Sequence, residues 1–290
     1  MTDRSLAPHS MNLAKALAER PAAPDDVLPG LPVGAVGALV APGGTGKTMF
    51  ALGLAMELAC GVHRLRQAFG LAAKVLCAPQ SVAMVVAEES APEMHRRLWS
   101  VLGAMTPARG KALRTRDEMV ELFLANLSIY PIAGRRRLRL DGEGPVEDIR
   151  ALSSAAHGRR LLVLDPLRQI HGADENCSWA MTDIVQKLHT LATRNSCAVL
   201  VCHHASKLST LSGSGHQATA SRGAGAFTDA VRWQLNLSDV DDGLARRHQL
   251  RESERHQHVR LDLAKSNYRE RTEPALLRRE AGGALNVKLL

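Results

Sequence analysis

The sequence predicts an α/β protein: a mostly parallel, twisted sheet flanked by helices, with antiparallel strands added at one edge near the C-terminus. Three observations carry this. Continuous apolar runs of strand length recur at 35–41, 81–87, 159–165 and 197–205, and strands apolar at successive positions belong to parallel sheets covered on both faces. Helical patterns separate these runs, as the crossovers of a parallel sheet require. After residue 230 the character changes: VRWQLNLS (231–238), HVRLDLAK (258–265) and PALLRRE (274–280) alternate more and lie close together, which suggests antiparallel strands extending one edge.

Residues 1–10 read as a loose start, and MNLAKALAE (11–19) puts Leu13, Ala16 and Leu17 at helical spacing. Pro21-Ala22-Ala23-Pro24-Asp25 then breaks the pattern. Residues 1–26 are therefore expected to form an arm and linker, either frayed or packed on a neighbouring subunit, and 27–290 a single core. GAVGALVAPGGTGKTMFALGLAMELACG (34–61) reads as strand, Gly-rich turn and long helix. Helices are expected at 92–103, 108–123 and 145–157, and at 178–194 with Ser178 as N-cap. LSIYPI (127–132) reads as a short strand, and the Gly/Ser-rich segment 206–226 as a mobile loop. The charged segment 239–257 suggests no role.

Composition narrows the function classes. The 290 residues are 45% hydrophobic and 23% charged, as in ordinary globular proteins and unlike disordered, collagenous or coiled-coil chains. Lys plus Arg number 37 against 29 for Asp plus Glu, a net charge of +8, which permits a polyanionic partner without demanding one. Aromatics are only 3%, so contact with single-stranded nucleic acid would run through phosphates rather than stacking platforms. Cys60, Cys77, Cys177, Cys197 and Cys202 contain no C-x-x-C pair; neither a disulfide framework nor a zinc ribbon is expected, and a reducing cytoplasm fits. Lys15, Glu19 and Arg20 interrupt the N-terminal apolar stretch, and no uncharged apolar run reaches the ~18 residues of a spanning helix. Membrane contact is not expected.

The strongest signal is Ala41-Pro42-Gly43-Gly44-Thr45-Gly46-Lys47-Thr48, set between a strand and a helix that continues through Met49. It matches the phosphate-binding loop pattern, with Ala41 in place of the first glycine. Gly43, Gly44 and Gly46 permit positive φ and close backbone approach, so successive N–H groups can form an anion nest at the helix N-terminus. Lys47 supplies a cation to the β- and γ-phosphates of ATP, and the Thr48 hydroxyl a ligand for Mg²⁺.

Other candidates sit at strand ends. Asp165 closes the run 161–164, either holding Mg²⁺ through water or simply closing a turn. Glu88 and Glu89 follow the run 81–87, where a carboxylate can activate water; Glu88 is the stronger candidate, and first-turn helix charge is the plainer reading of the pair. His203 and His204 are adjacent on a strand and so point to opposite faces, which argues against shared metal binding; one can face a γ-phosphate. Arg222, beside Gly-rich backbone, and Lys265 are possible transition-state cations or ordinary surface charges. Arg135, Arg136, Arg137 and Arg139 read as a basic loop.

These residues resemble the RecA-type hexameric replicative helicases of broad-host-range plasmids, the RepA helicases. The similar stretches are VLPGLPVGAVGALVAPGGTGKTMFALGLA, AEESAPEMHRRL, RRLLVLDPLRQIH, VCHHASK, TASRGAGAFTDAVRWQ and AKSNYR, set between Val27 and Arg269, and the resemblance takes in nearly the whole chain. The resemblance implies a RecA-like P-loop ATPase, a homohexameric ring with ATP between subunits that translocates on single-stranded DNA in plasmid or mobile-element replication. Lys47 and Thr48 would bind phosphate and Mg²⁺, Asp165 hold the metal shell, Glu88 activate water, His204 sense the γ-phosphate and Arg222 reach the neighbour's site. Arg97 and Tyr268 would contact adenine, and loops 171–180 and 207–220 would face the channel. Two departures stand out. Lys265-Ser266-Asn267 replaces the K-x-R pair of replicative helicases generally, and 208–216 has no Lys or Arg, leaving Lys207, hydroxyls and backbone for DNA. A primase or origin-binding partner would be a separate chain. The alternative is a recombinase-like or KaiC-like regulatory ATPase that does not unwind DNA; a degenerate, non-enzymatic binder conflicts with intact Lys47, Thr48, Glu88 and Asp165.

Overall fold

The structure, a computed structural model, describes residues 10–62, 64–65, 77–106, 113–141, 146–206, 209, 211–221, 225–270 and 272–288. A helix, α1 (Leu13–Ala18), and a two-stranded antiparallel ribbon, β1 (Asp26–Leu28) with β2 (Leu31–Pro32), precede the main sheet. Then follow β3 (Val36–Ala41), α2 (Lys47–Cys60), β4 (Val82–Val86), α3 (Ala91–Met105), α4 (Arg116–Asn126), β5 (Leu127–Pro131), α5 (Val146–Ala156) and β6 (Leu161–Asp165). The second half holds α6 (Ser178–Arg194), β7 (Ala198–His204), α7 (Gly225–Ala230), β8 (Trp233–Ser238), α8 (Asp242–Arg247), β9 (His258–Ser266), β10 (Ala275–Arg279) and β11 (Leu285–Val287).

Nine strands make one sheet in the order β11-β10-β9-β8-β3-β7-β6-β4-β5. The six strands from β8 to β5 are parallel, and β9, β10 and β11 add antiparallel pairs at the C-terminal edge. The expected fold class is the observed one, with one boundary moved. Segment 231–238 belongs to the parallel set: β8 lies parallel to β3 and antiparallel only to β9. It enters after α7 and is buried along its whole length, so its polar residues do not mark a wet face.

Alternate strand residues feed two cores, as the period of two dictates. Leu39, Met84, Val163, Leu200, Cys202 and Trp233 join the layer under α2 and α3, whereas Val40, Val85, Leu164, Val199 and Val201 join the layer under α6. Every residue of α2 except Thr48 is buried, which explains a helix apolar all round. Its buried acid, Glu57, accepts from the Leu65 N–H at 2.8 Å and lies 3.4 Å from Arg64 Nε. Burial pushes the Glu57 carboxyl up to about 7, with the Arg64 charge opposing.

The helix at 178–194 forms as expected, but Cys177 is its N-cap and Ser178 its first residue. The helix expected at 108–123 begins only at Arg116, where Thr115 and Glu118 form a capping box; residues 107–112 lie outside the described residues. Most of 206–226 is described and well tethered. Asn236 Nδ2 donates to the carbonyls of Gly215 (2.9 Å) and Gln217 (2.6 Å), and Gln234 Nε2 to that of Ala218 (2.9 Å). In the charged segment 239–257, Asp241 pairs with Arg260 of β9 and Asp242 with Arg255. No helix among the described residues is long and apolar enough to cross a membrane.

Candidate functional site

Register brings the candidate residues to one end of the sheet. Ala41 of β3 lies beside His204 of β7, and Val86 of β4 beside Asp165 of β6, so P-loop, Glu88, Asp165 and His204 all lie at or just beyond the carboxyl ends of neighbouring parallel strands. Open α/β sheets offer their ligand crevice there.

The chain leaves β3 through Pro42-Gly43-Gly44-Thr45-Gly46. Gly44 (φ +76) and Gly46 (φ +103) take the left-handed conformation, open to glycine at little cost. Gly46 is the N-cap of α2 and no side chain caps that end, so the first-turn N–H groups are left for an anion. A cleft of about 340 Å³ opens over them. Pro42, Gly43, Gly44, Gly46, Lys47, Thr48 and Met49 form its floor, and Glu88, Glu89, Glu93, Arg97 and His204 one wall. Arg279, Gly282 and Gly283 complete the lining.

At the base, Lys47 Nζ lies 3.6 Å from Asp165 Oδ1, with both side chains buried. Asp165 Oδ1 accepts no hydrogen bond. A buried carboxylate oxygen without a hydrogen-bond donor is costly unless cations complete it, and Lys47 is one such cation. An oxygen set of Thr48 hydroxyl and Asp165 carboxylate beside an anion cradle fits Mg²⁺, which binds through one or two protein oxygens plus substrate phosphates and water. No group of three or more His, Cys, Asp and Glu among the described residues could hold a metal ion alone. Burial pushes the neighbouring Cys202 thiol up, and the Asp165 charge adds to it.

The two adjacent glutamates are separated by their partners. Glu89 accepts from Arg97 Nη2 at 2.5 Å, and Glu93 from Arg97 Nε at 3.2 Å. Glu88 instead accepts from Gln169 Nε2 at 3.2 Å. Glu89 is thus spent on holding Arg97, and Glu88 remains the carboxylate facing the cleft without a cationic clamp. Ser90 caps α3 by accepting from the Glu93 N–H, which fixes the wall carrying Arg97.

His203 and His204 do diverge. His204 lines the cleft. His203 is fully buried on the other face against Phe227, with ring centroids 4.6 Å apart. Its Nδ1 is 3.9 Å from Glu175 Oε1, which lies 3.8 Å from His171 Nε2. Burial holds the His171 pKa down, against the Glu175 charge.

Other expected residues fall elsewhere. Tyr268 is 52% exposed and lines a separate groove with Pro32, Val33, Thr193 and Arg232; the structure does not bring it to the P-loop cleft of its own chain. Lys265 Nζ donates to the Thr228 (2.7 Å) and Asp229 (3.2 Å) carbonyls near the end of α7. In the basic run, Arg136 pairs with Asp148 and Arg139 with Asp141. Arg222 and Lys207 lie outside the described residues. Sequence reasoning missed Glu93, Arg279, Gly282 and Gly283. The last three reach the cleft only by long-range strand pairing, and no local motif announces them.

Residues 2–210 match the AAA domain family. The fold is similar to that of a DnaB-like replicative helicase whose structure was described with its interactions with primase: the TM-score is 0.59 over 99% of this chain and 68% of that one, at 16% identity. Identity that low speaks for the fold alone, a mostly parallel sheet flanked by helices. The family match takes in the P-loop, Glu88, Asp165 and both histidines, and it covers well over half of the sequence. The chain belongs to the AAA domain family.

Proposed function

We propose that this protein is an ATP-hydrolysing motor that forms a homohexameric ring and moves along single-stranded DNA, acting as a cytoplasmic replicative helicase of a plasmid or mobile element. One observation carries the reading. The buried Lys47–Asp165 pair, 3.6 Å apart, sits under an uncapped helix N-terminus, with Glu88 and His204 on the same cleft.

Lys47 and the first-turn amides of α2 bind the β- and γ-phosphates. Thr48 and Asp165 would hold Mg²⁺, which supplies neutralising charge on the phosphate oxygens. Glu88, oriented by Gln169, aligns the attacking water and takes its proton. Arg97, on the cleft wall, would contact adenine, and Tyr268 would do so from a neighbouring subunit. Arg222 of that neighbour stabilises the transition-state charge. His204 reads the loss of γ-phosphate. The strand that carries it also carries His203, which meets Glu175 at the segment expected to face the channel. The net charge of +8 suits a phosphate track. In α1 no residue is buried, and Leu13 (65% exposed) and Leu17 (87%) point to no partner within the described chain, as an arm reaching another subunit would. A separate primase or origin-binding protein completes the assembly.

The test is the ATPase rate with and without single-stranded DNA, with molar mass read by light scattering in the same buffer. A hexamer with DNA-stimulated hydrolysis, abolished by Lys47→Ala, is expected. A monomer or dimer with slow, DNA-insensitive hydrolysis would replace the motor by a KaiC-like regulatory ATPase. Absence of hydrolysis would overturn both.

A further inference from the structure

The C-terminal strands lie at the far edge of the sheet, yet their turn comes back to the P-loop. β10 ends at Arg279, whose Nη2 donates to the Thr45 carbonyl at 2.8 Å across 234 residues of sequence. A Cβ built on Gly46 would sit 3.1 Å from Arg279 Nη1 and 3.3 Å from Leu285 Cδ1. Two side chains of the hairpin β10–β11 therefore bear on one P-loop glycine, and Arg279 lines the cleft.

The physical consequence follows from peptide geometry. The unit joining Thr45 to Gly46 is planar, so its C=O and N–H reorient together. The Gly46 N–H is among the donors that the phosphate-binding pattern offers to an anion. The glycines that let this loop adopt its shape also let its peptides flip cheaply. A flipped unit would turn an oxygen toward phosphate. Fixing the Thr45 carbonyl fixes that N–H, and the guanidinium that does so carries five donors in all; burial draws its pKa down, with the Asp239 charge opposing, but an arginine remains a cation near neutral pH.

We infer that Arg279 is a positioning residue of the nucleotide site, supplied by the chain's own C-terminal hairpin. It holds the Thr45–Gly46 peptide in the anion-accepting orientation and sets a fixed cation in the wall of the cleft, favouring a polyphosphate. The inference rests on the nucleotide-binding reading of the P-loop. Arg279 lies beyond the 2–210 stretch matched by the AAA domain family, so the family match does not supply it.

The test uses the full chain with ADP, ATP and a fluorescent ADP analogue. Arg279→Met keeps the apolar stem and removes the fork; Arg279→Lys keeps the charge and a compact ammonium donor but not the planar fork; exposed Arg278→Met controls for lost charge. Arg279→Met is expected to raise the Kd for ADP and the KM for ATP about tenfold, as loss of one charge-assisted hydrogen bond would, with kcat nearly unchanged. Arg279→Lys should fall between, at about threefold, and Arg278→Met should match wild type. The melting temperature without nucleotide should hold, while the nucleotide-induced rise shrinks. Wild-type affinity in both Arg279 variants, or a fall in kcat at constant KM, would overturn the inference while the P-loop reading stands. If Arg279→Met fails to fold, Arg279→Lys decides by the same affinity. Failure of the wild-type chain to bind nucleotide, or binding that survives Lys47→Ala, would instead overturn the P-loop reading beneath it.

Discussion

Glu57 offers the sharpest quantitative prediction, because its cause is visible and its sign is fixed. The side chain is 2% exposed within the all-buried helix α2. Burial raises its pKa from 4.5 to about 7, even with Arg64 and the Leu65 N–H favouring the charged form. An acid whose folded pKa exceeds its unfolded value binds more protons when folded. Its contribution is therefore fully present below pH 4.5 and lost as pH rises through 7. A rise of about 2.5 units at about 1.4 kcal/mol each gives roughly 3 kcal/mol over that window. Glu57→Gln keeps a carbonyl for the Leu65 N–H and removes the titration. Denaturant unfolding of both proteins at intervals from pH 5 to 8 gives the difference curve directly. The variant should gain on wild type by about 3 kcal/mol across the range, most steeply between pH 5 and 7. A flat difference, or one with the variant losing ground as pH rises, would refute the reasoning.

Three further outcomes follow from the site and its supports. Glu88→Gln should lower hydrolysis by about 10²–10⁴-fold, the usual worth of a general base, with ADP affinity kept; Glu89→Gln should loosen Arg97 and act mainly on KM, and steady-state kinetics with ADP titration separate the two. Asn236→Ala leaves the Gly215 and Gln217 carbonyls short of a donor, so about 1–3 kcal/mol of stability should be lost, with hydrogen exchange rising first in 211–221.

Legibility followed the range of the interactions involved. The parallel strands were readable because burial on both faces writes a continuous apolar run into local sequence, and the P-loop because phosphate chemistry demands glycines, lysine and threonine in one short stretch. β8 departs from its sequence pattern for a physical reason. WQLNLS alternates like a half-wet strand, but Gln234 and Asn236 are buried and spend their amides on loop carbonyls. The start of α4 is written in the sequence, since Thr115-Arg116-Asp117-Glu118 is a capping-box pattern. β1 and β2, three and two residues long, are too short to leave a periodic trace.

Arg279 shows the other limit. Nothing around it distinguishes it from Arg278, and only the pairing of β10 with β9 and β11 decides which of the two meets the P-loop. Strand alternation then does the rest: Leu277 packs in the core layer under α2, Arg278 is exposed, and Arg279 returns to the α2 side at the strand's end, beside the cleft. The same rule sends His204 to the cleft and His203 to Glu175. Sequence can say that neighbours on a strand diverge, but which of them meets chemistry depends on what the sheet packs against each face.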